Sequence, residues 1–123
     1  MNYFICSLGK IHKDYDNSLL GIASSKVEKI IATEELIENK KQISIPSMLK
    51  LKDLDLTHSL ILKQKDAVLL CPKIEVEIDI EEESIKSLPL SITPSYNFFR
   101  GLCFKNNELI LILDTDKLLE EVI

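Results

Sequence analysis

Apolar and polar positions alternate in blocks most clearly near the end of the chain. Phe99-Arg100-Gly101-Leu102-Cys103-Phe104 is followed by the polar Lys105-Asn106-Asn107-Glu108, then by Leu109-Ile110-Leu111-Ile112-Leu113. Two apolar runs around an Asn-containing turn predict a β-hairpin. The second run is apolar at every position, so its strand should be covered on both faces. Asp114 then suits a helix N-cap, its carboxylate accepting free N–H groups of the first turn. Leu118, Leu119 and Val122 would fold that short helix back onto the hairpin.

Other segments give weaker patterns. Tyr3–Leu8 and Leu19–Ala23 have strand-like content, joined by a polar connection over Gly9–Ser18. Val27, Ile30 and Ile31 recur at spacings of three and four, predicting a short helix or turn with Ser24 or Ser25 as cap. Glu34–Lys41 is charged and fits either a frayed helix or a loop. Gln42–Ile45 reads as a short strand stopped by Pro46, which cannot donate to a central ladder. Met48–Leu56 fits a strand or a short helix. Ser59–Gln64 and Ala67–Cys71 flank Lys65-Asp66 as a second tight hairpin. Ile74, Val76, Ile78 and Ile80 alternate with Glu75, Glu77 and Asp79, a period-two signal for a half-buried strand with an acidic outer face. Pro89 and Pro94 bracket an extended connection towards Phe98.

The ending from Phe99-Arg100-Gly101 through Glu108–Asp114 to Lys117-Leu118-Leu119 resembles the C-terminal end of CheW-like domains, the coupling modules of bacterial chemotaxis. The stretch Ile78–Pro89, acidic and ending in Leu88-Pro89, resembles the link that precedes it in that family. The match runs from about Ser59 to Leu119, with Val27–Ile31 resembling a segment that opens the module. The resemblance implies a mainly β chain forming one domain over residues 1–123, a pair of small β-barrel subdomains with a short C-terminal helix. The first subdomain would span roughly 20–65 and the second be built mainly from 66–123. An ungapped overlay of Ile43–Leu51 on Ile110–Leu118, matching both isoleucines, the lysine and the final leucine, points to the same two similar halves.

The family's first half carries a hairpin with an Arg-Gly turn, used for receptor docking. Here Asn39-Lys40-Lys41 stands where that turn should be, and the single Arg-Gly pair, Arg100-Gly101, belongs to the second half. The expectation is a trimmed first barrel with a less covered edge strand around Ile43 and Ile45. An open edge invites a partner strand, which makes Ile43, Ile45 and Met48 the expected partner-binding residues.

Composition narrows the function. At 123 residues, 46% apolar and 28% charged, the chain is an ordinary globular domain. No run approaches the ~20 apolar residues of a membrane span, and the start lacks the features of a signal peptide. A cytoplasmic protein without membrane insertion is expected. The net charge of −5 is concentrated in the second half, with seven basic and twelve acidic residues from Lys63 onward. That balance argues against nucleic acid, which needs a basic footprint.

Candidate chemistry is sparse. Cys6, Cys71 and Cys103 are far apart in apolar runs, and His12 and His58 are isolated, so buried thiols are expected rather than a metal site. Glu81-Glu82-Glu83 reads as a solvated link, and Asp114 and Asp116 as a cap and a first-turn acid. With Gly9, Gly21 and Gly101 the only glycines, no phosphate-binding loop can form. Gly101 should serve a bulge or a close backbone approach. No enzyme, metal or cofactor is expected. The resemblance implies an adaptor that couples a CheA-type histidine kinase to chemoreceptors or to other CheW-like proteins. The alternative is a small-molecule-sensing or structural β domain holding a ligand between its subdomains.

Overall fold

The computed structural model describes residues 1–9, 17–35, 41–48, 55–63, 67–87, 98–105 and 107–122. The Lys65-Asp66 turn, Asn106, the Pro89–Pro94 connection and most of Glu34–Lys41 and Met48–Leu56 lie outside them. Nine strands are described: β1 (Asn2–Gly9), β2 (Ser18–Ala23), β3 (Val27–Ala32), β4 (Lys41–Ser44), β5 (His58–Leu62), β6 (Ala67–Cys71), β7 (Ile74–Asp79), β8 (Phe99–Lys105) and β9 (Glu108–Leu113). A one-turn helix α1 (Ile45–Met48) follows β4, and α2 (Thr115–Val122) follows β9.

The chain is mainly β, with a short C-terminal helix, and its strands form two sheets. Their orders are β7-β1-β2-β9-β8 and β3-β5-β6-β4. The expected small barrels are realised as two open sheets rather than closed ones. The chain also crosses between sheets more than once, since β1 and β2 join β7–β9 while β6 stays with β3–β5. It passes from the first sheet to the second at 23–27 and back at 71–74.

Sheet order exposes a repeat. In each sheet four strands run antiparallel, antiparallel, parallel: β7-β1-β2-β9 and β3-β5-β6-β4. The last strand of each set leads into a helix, β9 into α2 and β4 into α1. The overlay of Ile43–Leu51 on Ile110–Leu118 misses this equivalence by three residues, since the caps of the two exits, Ser44 and Asp114, each accepting the N–H three positions on, lie 70 apart and not 67. Residues 2–48 and 58–122 are two versions of one unit, and each lends strands to the other's hairpin. β8 has no counterpart among the described residues of the first unit.

The β8–β9 hairpin pairs from Phe99↔Leu113 to Lys105↔Glu108, with Asn107 at a φ of 64° in its turn. Asparagine tolerates that left-handed conformation better than most residues. Leu109, Leu111 and Leu113 face a core shared by both sheets and α2, whereas Ile110 and Ile112 face a second core with Tyr3, Ile5, Ile80 and Cys103. This two-sided burial is why every position of β9 is apolar. The shared core fills the space between the sheets, including Leu20 and Leu111 from one and Leu60 and Leu69 from the other.

Val27–Ile31 forms a strand, correcting the expected helix or turn. A register shift between Val27 and Lys29 opposite β5 inserts an extra residue, so Val27 and Ile30 reach the same core three positions apart. A β-bulge thus imitates a helical spacing. A similar shift opposite Ile5/Cys6 interrupts β7, sending Ile74 to the shared core and Ile78 to the second.

Candidate interaction surface

β4 is the edge strand expected around Ile43, bonded on one side to β6 in parallel register. Its apolar side chains are not at the surface, however. Ile43 is 3% exposed and Ile45 0%, both packed in the shared core. The Ile43 side chain turns inward because Leu69, its register partner on β6, does so too. Ile45 is drawn in by the start of α1, whose first turn is capped by Ser44: its Oγ accepts the Ser47 N–H at 3.2 Å and bonds the Ser47 hydroxyl at 2.9 Å. What the edge offers is its main chain, together with the exposed Lys41 and Gln42. The side chain of Met48 lies outside the described residues. A lysine placed at 43 would sit in the core, so loss of association there would report unfolding.

The five-stranded sheet carries the main polar constellation, which the sequence reading did not single out. After β7 the chain crosses the second core through a 3-10 turn at Glu82–Ser84, then pairs with β8. Lys86 N–H donates to Leu102 O at 2.7 Å and Leu102 N–H to Lys86 O at 2.8 Å. Arg100 Nη1 donates to Tyr3 Oη at 3.1 Å and Nη2 to a Glu82 carboxylate oxygen, while Tyr3 Oη donates to the other at 3.3 Å. The Met1 amine reaches Asp79 at 2.8 Å, and Lys105 Nζ reaches the Asp79 carbonyl at 2.9 Å. Arg100 holds the Glu82 carboxyl below its ordinary value, and the amine does the same for Asp79. Burial, then Glu82, pushes the Tyr3 phenol up. These groups satisfy one another and tie the crossing segment down.

Gly101 makes the crossing possible. A Cβ there would lie 2.4 Å from Lys86 O and 2.9 Å from Ile85 Cγ2. The expected close approach is therefore present, next to a register shift between Phe99 and Gly101.

In the shared core the Cys71 thiol donates to the His58 carbonyl at 3.8 Å, and the neighbouring Cys6 thiol together with burial raises its pKa; Cys103 is raised by burial. All three cysteines are free and buried. No group of three potential metal ligands occurs among the described residues. A cleft of about 170 Å³ beside Tyr3, Lys26, Arg100 and Asp116 holds two cations, but Lys26 is bonded to Asp116 at 3.1 Å and Arg100 to Glu82. Both cations already have a carboxylate partner. Among the described residues the large apolar side chains left exposed are Met1, Val76 at 49% and Phe104 at 55%. Among the described residues no helix is long and apolar enough to cross a membrane.

No protein-family model matches the chain, and no curated protein is similar to it in sequence. Among solved structures its fold is similar to the crystal structure of the scaffolding protein TtCheW from Thermoanaerobacter tengcongensis. The TM-score is 0.66 at 13% sequence identity, covering 91% of this chain and 82% of that one. At that identity the likeness establishes the fold.

Proposed function

We propose that this chain is a CheW-like adaptor of the cytoplasm, a protein-assembly scaffold that couples a CheA-type histidine kinase to chemoreceptors or to other CheW-like proteins. It carries out no reaction and needs no cofactor. The observation that carries this reading is the fold likeness to a scaffolding protein over nearly the whole of both chains. The resemblance of Phe99–Leu119 to the end of CheW-like domains supports it from sequence. In this reading the domain has a trimmed first subdomain, and receptor docking of the usual kind is weak or absent. The β4 edge at Lys41–Ser44 is one place for a partner strand, held through main-chain bonds rather than by Ile43 or Ile45.

The test is co-purification with the C-terminal domain of the chemotaxis histidine kinase, with amide hydrogen exchange mapping the contact. The adaptor reading expects a stoichiometric complex. Failure of the kinase domain and of chemoreceptor tips to retain the protein sinks it. A small molecule that raises the melting temperature would instead favour ligand sensing.

A further inference from the structure

Among the described residues the outer edge of β7 is open. β7 ends the five-stranded sheet and, among the described residues, pairs only with β1. In an antiparallel ladder alternate residues of such a strand turn their N–H and C=O away from the partner. Glu75, Val76 and Glu77 are all exposed in succession, so the middle of the strand is open on both faces. Val76, between two glutamates, leaves 49% of its surface in water.

Among the described residues the charge of this edge is only partly matched. Six of the nine residues from Glu75 to Glu83 are acidic and none is basic. Asp79 and Glu82 are held by the Met1 amine and Arg100. Among the described residues Glu77 receives the Ser24 hydroxyl, at 2.7 Å, which brings no charge. Among the described residues neither Glu75 nor Glu77 has a salt bridge.

We infer that β7 is a strand-addition site for an extended basic segment of another protein, one that alternates Lys or Arg with apolar residues. Such a strand completes the free main-chain bonds. It sets cations beside Glu75 and Glu77 and an apolar side chain beside Val76 between them. Cross-strand neighbours of opposite charge are favourable, and like charges directly opposite are unfavourable. A second copy of this chain is therefore a poor occupant, because β7 against β7 opposes glutamates to glutamates. The acidic edge blocks self-pairing and admits a cationic strand. This surface and its partner chemistry go beyond the adaptor reading and stand or fall apart from it.

The full chain is titrated with fluorescent heptapeptides: Lys-Val-Lys-Val-Lys-Val-Lys, its glutamate counterpart, and a lysine peptide with proline replacing each valine. The alternating lysine peptide should bind and protect the amides of Ile74–Asp79 from exchange. The glutamate and proline peptides should bind at least about tenfold more weakly. Glu75→Lys with Glu77→Lys, both at exposed positions, should reverse the preference between lysine and glutamate peptides. Neutral Glu75→Gln with Glu77→Gln should weaken the lysine peptide without recruiting the other. Equal binding of the proline peptide would reduce the effect to charge attraction and overturn strand addition. Protection at Lys41–Ser44 instead of β7, no binding of any peptide, or a peptide-free dimer abolished by the lysine variants would also overturn it.

Discussion

Replacing Gly101 with alanine should loosen the segment that closes the second core. The added methyl would lie 2.4 Å from the Lys86 carbonyl oxygen, a main-chain atom, and 2.9 Å from Ile85 Cγ2. Ordinary carbon contacts begin near 3.5 Å, so the crossing segment has to retreat by roughly 1 Å. That retreat strains or breaks the reciprocal Lys86–Leu102 bonds of 2.7 and 2.8 Å. Two bonds at about 1 kcal/mol each, with overpacking strain of about 1–3 kcal/mol, give a loss of roughly 3–5 kcal/mol. Alanine restricts the unfolded chain relative to glycine and returns about 0.4–1 kcal/mol. The net destabilisation is then roughly 2–4.6 kcal/mol, a fall in melting temperature on the order of 8–18 °C for a chain of this size. Urea denaturation measures the total, and hydrogen exchange at Lys86 and Leu102 localises it. Gly21→Ala is the control, since its Cβ would meet a side-chain end, Ile112 Cδ1, at 3.1 Å rather than a main-chain atom and should cost less. A Gly101→Ala change below about 0.5 kcal/mol, or unaltered exchange at those two amides, would refute the reasoning.

Ile112 is 0% exposed in the second core, so Ile112→Ala should lower stability by about 2–5 kcal/mol in urea denaturation. Asp114 caps α2, its Oδ1 accepting the Lys117 N–H at 3.0 Å; Asp114→Ala should cost about 0.5–2 kcal/mol, with no loss expected for Asp116→Ala beyond its exposed pair with Lys26. Asp79 and Glu82 are held below their ordinary values of 3.8 and 4.5, so the stability they add is present above those values and lost as pH falls through the folded-state ones. Tyr3 is raised above 10.0, so its contribution is full below that pH and lost as pH rises through its folded-state value. Urea midpoints of wild type and Glu82→Gln should converge in acid, and parallel curves would contradict the acid half.

The elements written most plainly in the sequence are those whose side chains have one environment. β9 is buried on both faces, and its unbroken apolar run says so; the Asp114 cap and the Asn107 turn follow from local chemistry. Val27–Ile31 misleads because its bulge is created by pairing with β5, which no local pattern records. The same limit governs the candidate surface. Ile43 was legible as an edge-strand residue, but the side facing the core depends on its register with Leu69. The Arg100–Glu82–Tyr3 cluster joins residues far apart in sequence, and the one local hint was the glycine beside Arg100. Val76 looks like a core position by alternation, yet the interruption of β7 opposite Ile5/Cys6 leaves it half in water.

The interlocking of the two units makes a final prediction about cooperativity. Residues 2–48 contain the β1–β2 hairpin, but its sheet neighbours β7 and β9 come from 58–122. Residues 58–122 contain the β5–β6 hairpin, but its neighbours β3 and β4 come from 2–48. Cut between α1 and β5, the first piece keeps one two-stranded hairpin and two strands with nothing between them. A lone hairpin is marginal in water, and the shared core draws side chains from both pieces. The second piece retains β8–β9 and β5–β6, yet the sheet neighbours β1 and β2 that separate β7 from β9 are gone. Neither piece should show dispersed amide resonances alone, and an equimolar mixture should recover the spectrum of the intact chain. The two sheets should also melt in one transition, with Gly101→Ala in one sheet lowering the midpoint reported by a probe in the other. If 58–122 folds by itself, the strand exchange is dispensable and the two sheets are independent units.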